Sequence, residues 1–422
     1  MGRVTTLLAV IGPGVLVAAT GVGAGDLATA GLAGSELGLA VLWAVLLGAI
    51  LKYIVSENLA RWQLGSGTTV LEGAVTNLGW WIYAPFIVYL VSWSFFVGGA
   101  LVSACGITLQ AILPLPNADV GKVVYGIACS FAGLALALLG GFKLFEKVMA
   151  ASIGMMVAVV VACAIASKPD IAAVARGLVV PSIPKLNDGG LAWTLALLGG
   201  VGGTLTLICY AYWMREAGRE RIEHLGRCRI DLAIGFSITA LFGVAMIIIA
   251  SGLEAQGRGA GLIVALASQL DSTLGPIARW AFLIGAFAAV FSSLLGVWQA
   301  VPYIIADTFE LRRSVGTADR LPDRAAVSTT SPIYRWSMVA LATAPLIGLL
   351  GDFSSVQKAY AIMGAFFVPG LAIVLLLLNR RRGPLADAKL ANGGAVTLVL
   401  AITALIVIVL AAYAAGRRIG WL

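Results

Sequence analysis

The stretch AATGVGAGDLATAG (18–31) sets one carboxylate, Asp26, after three glycines at alternate positions, Gly21, Gly23 and Gly25. Glycine is a poor helix former, so a helix running through this stretch is expected to break and bare its backbone around Gly21, Gly23 and Ala24. Freed carbonyls plus Asp26 make an all-oxygen donor set. Such a set suits Mg²⁺ or another hard cation better than Mn²⁺ or Fe²⁺ held by sulfur. Asp26 fits equally well as the N-cap of the helix resuming after the break, and one residue can do both.

A second glycine-rich stretch, GGVGGTLTLICYAY (199–212), offers Gly203, Thr204, Thr206, Cys209 and Tyr210. Thr204 reads better as the cap of a second half-helix than as a ligand. Cys209 is a soft donor in principle, although a single buried cysteine is ordinarily a small apolar residue. Tyr210, Tyr212 and Trp213, with Trp93 and Phe95, either wall a pocket or pack between helices, and packing suits most of them. His224, the one histidine, belongs to a charged loop. The chain holds no nucleophile–base set and no metal-hydrolase motif, which argues against an enzyme, and no cofactor is expected.

These residues lie in a chain that is 60% hydrophobic and 11% charged, with a mean hydropathy of +0.99. A soluble domain carries about 25% charged residues. The apolar runs are continuous and about 20 residues long, which means membrane-spanning helices and not the alternating strands of a barrel. The net charge of +8 sits in loops between apolar runs, so nucleic acid is not the partner; the bilayer is. The five cysteines form no CxxC pair and no disulfide framework. Residues 1–6, MGRVTT, fit a short myristoylation pattern that is common by chance. A cleaved signal peptide fits poorly, because the first apolar run continues through Gly-Pro-Gly at 12–14.

Eleven spans are expected, at about 7–34 (broken), 38–62, 80–113, 121–141, 144–167, 190–214 (broken), 230–253, 276–305, 334–351, 357–379 and 393–415. Arg215, Arg219, Arg221, Arg227 and Arg229 flank the loop after span six. Arg312, Arg313, Arg320 and Arg324 follow span eight, and Arg380, Arg381, Arg382 and Lys389 follow span ten. By the positive-inside rule that side is cytoplasmic, with the N-terminus inside and the C-terminus outside. Arg417 and Arg418 oppose the rule weakly. The whole chain, 1–422, is one transmembrane domain. The two glycine-broken spans open successive five-span blocks, about 7–167 and 190–380, with an extra helix at about 393–415. An odd repeat length inverts the second block. Broken helices at matching positions of two inverted halves point to a transporter's central site. Close helix packing is the alternative use of the glycines.

IGPGVLVAATGVGAGDLATAG, followed by LGLAVLWAVLLGAILKYIVSENLARWQLGSGT, resembles the first two helices of the Nramp metal-ion transporters. SKPDIAAVARGLVVPSIP is similar to that family's loop after helix five, and AAVFSSLLGVWQA to its helix eight. The resemblance runs from about residue 11 to 380 and implies an all-α, leucine-transporter-like 5+5 inverted repeat with helices one and six broken. The departures fall at the family's metal site. Where its members carry Asp-Pro-Gly-Asn, this chain reads Gly23-Ala24-Gly25-Asp26. The helix-six Met-Pro-His is replaced by TLICYAY (206–212), helix three (VSWSFFVGG, 91–99) lacks acids, and Phe366-Phe367 stand near where the family has a helix-ten glutamine. The chain therefore resembles an outlying Nramp-related branch.

Two substrates stay open. The first is a divalent cation, Mg²⁺-like rather than strictly Mn²⁺ or Fe²⁺, moved by alternating access across a bacterial inner (plasma) membrane. The second is a small organic solute such as an amino acid, whose carboxylate would meet amides at the half-helix N-termini. An unpaired Asp26 favours the cation. The sequence sets no oligomeric state.

Overall fold

A computed structural model of the chain describes residues 12–252, 261–314, 329–351, 353–380, 385 and 390–405. The myristoylation pattern and Arg320, Arg324, Arg381, Arg382, Lys389, Arg417 and Arg418 lie outside these residues. All regular elements among them are helical. Among the described residues, seven helical segments are long and apolar enough to cross a membrane by length and composition. The sixth span falls below that measure because it comes in halves of 10 and 11 residues.

The first span is two half-helices, α1 (Pro13–Gly21) and α2 (Leu27–Leu37), separated by Val22–Asp26. Gly23 carries the departure, with φ −67° and ψ −135°. A short turn at Gly38 leads into α3 (Leu42–Ser66), the second span. Next come α4 (Val70–Leu78), α5 (Tyr83–Ile112), α6 (Ala118–Leu139), α7 (Gly141–Ala166) and α8 (Ile171–Val179). The sixth span is again halved, into α9 (Leu191–Gly200) and α10 (Thr206–Glu216). Gly202 and Gly203 between them take φ of +85° and +87°, a left-handed conformation that only glycine adopts at no steric cost. The chain continues through α11 (Leu225–Ala250), α12 (Gly261–Leu274), α13 (Pro276–Ser314), α14 (Pro332–Thr343), α15 (Phe353–Leu378) and α16 (Gly394–Leu405).

Three of these helices, α4, α8 and α12, fall where only loops were expected. Local capping explains two of them. Thr69 and Glu72 form a reciprocal capping box at the start of α4, and the Asp170 carboxylate accepts from the amides of Ala172 and Ala173 at the start of α8. Nine residues, the length of each, lie below what an apolar-run reading detects. The eighth span also runs past its expected end, through Ser314.

Helix α13 is the central post, packed on α1, α5, α7 and the break in span one. Helix α11 lies across α1, α2 and α3. Small residues set the closest crossings. A Cβ at Gly235 would stand 2.3 Å from the Gly14 carbonyl oxygen, so α11 and α1 touch backbone to backbone. The two breaks touch as well: a Cβ at Gly21 would stand 2.7 Å from the Gly202 carbonyl carbon. The glycines therefore do both jobs weighed above, breaking helices and letting them approach.

Candidate functional site

Each break strands backbone groups that a continuous helix would pair. The structure shows where those groups go. The Asp26 side chain is fully buried, and its two carboxylate oxygens accept from the Gly202 N–H at 3.1 and 2.9 Å. Helix α2 has no side-chain cap, so Asp26 does not cap it, contrary to that expectation. Tertiary contact outcompeted the local bond: the break in span six presents an unpaired amide at hydrogen-bonding distance. Asp26 still stands at the positive end of the α2 dipole, which favours its charge.

The other half of the exposed backbone is served by Lys52, from the middle of α3. Its ammonium donates to the Gly199 carbonyl at 2.9 Å and to the Val201 carbonyl, and its side chain is fully buried. Asp26 and Lys52 attract each other across the break, each bonded to backbone and not to the other. Lys52 is not among the candidate residues singled out from the sequence. A lysine at the centre of LLGAILKYIV was the signal, by the same logic that singled out Asp26. Glu57 pairs with Arg61, as the four-residue spacing expects, and also with Arg229 at 2.8 Å.

Beside the two breaks lies a cavity of about 10 Å³, close to the ~10–15 Å³ that one water needs. Thr20, Gly25, Trp93, Thr206, Ser293 and Tyr360 lie on its wall. The Thr206 hydroxyl is buried and has no hydrogen-bond partner. Ser293 donates to the Ala19 carbonyl at 3.1 Å. Trp93 donates from its indole to the Thr204 hydroxyl at 2.9 Å, and its ring lies 6.2 Å from that of Tyr360. Helix α10 has no side-chain cap, so the expectation that Thr204 caps it fails; the hydroxyl is spent on Trp93. Gly21 also borders the cavity, and Gly203 lies against Gly21. Ala24 lies in the first break. Asp26 is not on the cavity wall, its carboxylate being turned to Gly202.

Cys209 and Tyr210 are buried in α10 away from this cavity. The Tyr210 hydroxyl reaches the Cys228 carbonyl of α11 at 3.4 Å, so packing against α11 decides which way that face turns. Phe95 is half out of the protein, against Phe96, and walls nothing. Tyr212 donates to Asp307 and Trp213 to Gln299, structural ties to α13. Ser293 and Tyr360 were not anticipated; FSSLL and KAYAI carry no local mark of a site. Among the described residues no three His, Cys, Asp or Glu side chains cluster as a metal site.

Gly23 admits a direct test. A Cβ there would stand 1.9 Å from the Ser293 hydroxyl oxygen and 2.2 Å from its Cβ. Gly23→Ala is expected to lower the melting temperature of the purified protein, by the ~1–3 kcal/mol typical of overpacking. Ser293→Gly in the same chain, which clears both atoms, should recover part of the loss. An unshifted melting curve for Gly23→Ala would show that the break is looser than described.

At the end where α1 begins, the Asp231 carboxylate of α11 accepts from the Gly12 amide at 3.1 Å and the Gly14 amide at 2.8 Å, and pairs with Arg219 at 2.6 Å. This clamp joins the free end of α1 to α11 and to the loop after α10.

A family model described as natural resistance-associated macrophage protein-like (Nramp) matches residues 14–415. A divalent metal cation transporter of Bacillus subtilis is 26% identical over 68% of this chain and 68% of its own length. A divalent metal cation transporter of Deinococcus radiodurans is 24% identical over 99% of this chain and 92% of its own. A solved manganese transporter from Eremococcus coleocola overlays with a TM-score of 0.69 at 17% identity, covering 96% of this chain and 86% of that one.

Proposed function

Because the chain belongs to the Nramp family of membrane transporters, with their leucine-transporter-like fold, we propose that it carries a divalent metal cation by alternating access, using oxygen ligands alone. The observation that carries this reading is the cavity. At about 10 Å³ it accepts one water-sized body, the scale of a metal ion and not of an amino acid. Its wall offers hydroxyls from Thr20, Thr206, Ser293 and Tyr360, with the unpartnered Thr206 oxygen the group most in need of a ligand. The relatives' names supply the class of cargo.

No Met, His or Cys stands on that wall, so nothing there rewards a soft metal. Uptake into proteoliposomes is therefore expected to differ between Mg²⁺ and Mn²⁺ by less than about tenfold. A preference for Mn²⁺ above about a hundredfold would overturn the oxygen-only reading, and Cys209→Ser would be the next variant to measure.

One observation favours the organic solute instead. Lys52 offsets the charge of Asp26, so the surroundings of the cavity carry no net charge, while Trp93 and Tyr360 offer aromatic surface. Uptake of an amino acid, with none of any divalent ion, would favour that second reading. In either case the proposed architecture is one domain of two inverted repeats, about 7–167 and 190–380, with an extra helix at about 393–415. The α1 end, with Arg219 and its neighbouring arginines, faces the cytoplasm.

A further inference from the structure

The carbonyls of a broken helix are where transporters of this architecture hold alkali ions: unwound backbone and half-helix C-terminal ends coordinate them. In this chain the carbonyls of Gly199 and Val201, at the C-terminal end of α9, are already taken by the ammonium of Lys52. We propose that Lys52 is a tethered monovalent cation, fixed to α3 in the position of a sodium ion at the break of span six, so that the protein works without a bound alkali ion.

Four features of the structure converge on this reading. Lys52 is fully buried in mid-span, where an ammonium is costly unless it replaces something the site needs. Its acceptors are backbone carbonyls at the negative end of a half-helix, the same groups that would serve an alkali ion. A buried carboxylate, Asp26, supplies the counter-charge from the other side of the break, held by the next amide in the chain, Gly202. The left-handed Gly202 leaves the lysine stem room, since a Cβ there would already touch the Lys52 Cδ at 3.4 Å. A tethered charge has no translational freedom to lose and cannot be diluted, so its occupancy does not depend on the sodium concentration.

The test reads thermal stability of the purified full chain, so an error about the cargo leaves it untouched. Wild-type protein and Lys52→Ala are melted in choline chloride and in sodium, potassium and methylammonium chloride at equal ionic strength. The wild type is expected to melt at the same temperature in all four. Lys52→Ala is expected to melt lower in choline and to gain saturably, by at least about 2 °C, from sodium or methylammonium, because a ligand that binds only the folded state raises its melting point. Adding Asp26→Ala to Lys52→Ala should abolish that gain. The proposal is overturned by a wild type stabilised by sodium over choline. It is equally overturned by a Lys52→Ala protein that gains from neither cation or cannot be recovered in their presence.

Discussion

Asp26→Asn is expected to destabilise the protein severely and abolish uptake. Asparagine keeps an oxygen that can accept from the Gly202 amide, so the hydrogen bond itself survives. What is lost is the only charge described as facing Lys52, whose ammonium stays fully buried on the Gly199 and Val201 carbonyls. Removing one partner of a buried pair costs about 3–5 kcal/mol, because the remaining charge is left uncompensated. A whole domain is stable by only about 5–15 kcal/mol, so the loss is large. The second step separates charge balance from transport. Asp26→Asn with Lys52→Met removes both charges, and should bring the melting temperature most of the way back while uptake stays absent. Were Asp26 a simple cap, asparagine would replace it at little cost. Wild-type melting and uptake in Asp26→Asn would therefore refute the charge pairing.

Breaking the clamp at the start of α1 is expected to have the next largest effect. Asp231 takes two backbone amides and the Arg219 guanidinium, and both side chains are at least nine-tenths buried. Asp231→Ala strands the Gly12 and Gly14 amides and takes a buried charge partner from Arg219. By the usual penalty for a broken buried ion pair, the closed arrangement loses about 3–5 kcal/mol. A few kcal/mol is enough to shift a two-state equilibrium from almost wholly closed to substantially open. Helix α1 is the element set free, since its far end is already separated from α2 by the break at Gly23. The readout is a cysteine placed at Val17, which is buried on α1 while the clamp is made. An impermeant thiol reagent should label Val17→Cys slowly in the parent and at least about tenfold faster with Asp231→Ala. By the proposed orientation it should do so in inside-out vesicles and not in intact cells. Equal labelling with and without Asp231 would show that the clamp holds nothing closed, and labelling from outside would reverse the orientation.

The membrane class, the helical architecture and the positions of both breaks were legible in the sequence because each is a local property. Apolar run length sets a span, and Gly21, Gly23, Gly202 and Gly203 relax the backbone wherever the helix lies. The short helices α4, α8 and α12 were not legible, since nine to fourteen residues leave no membrane-length apolar run. The candidate site was legible only as a location. That something happens where GVGAGD meets GGVGGT follows from spacing, whereas the partners do not. Asp26 bonds an amide 176 positions away and Lys52 a carbonyl 147 positions away, and no window of sequence compares the two. The local alternatives, Asp26 and Thr204 as helix caps, were reasonable in isolation. They lost because the folded protein offered each side chain a buried partner, the Gly202 amide and the Trp93 indole, that would otherwise go unpaired. Helix rotation decided the rest: contact between α10 and α11 turns Tyr210 toward Cys228, while Thr206, at the start of α10, is left facing the cavity. Composition set which groups were available, and only packing decided which of them meet.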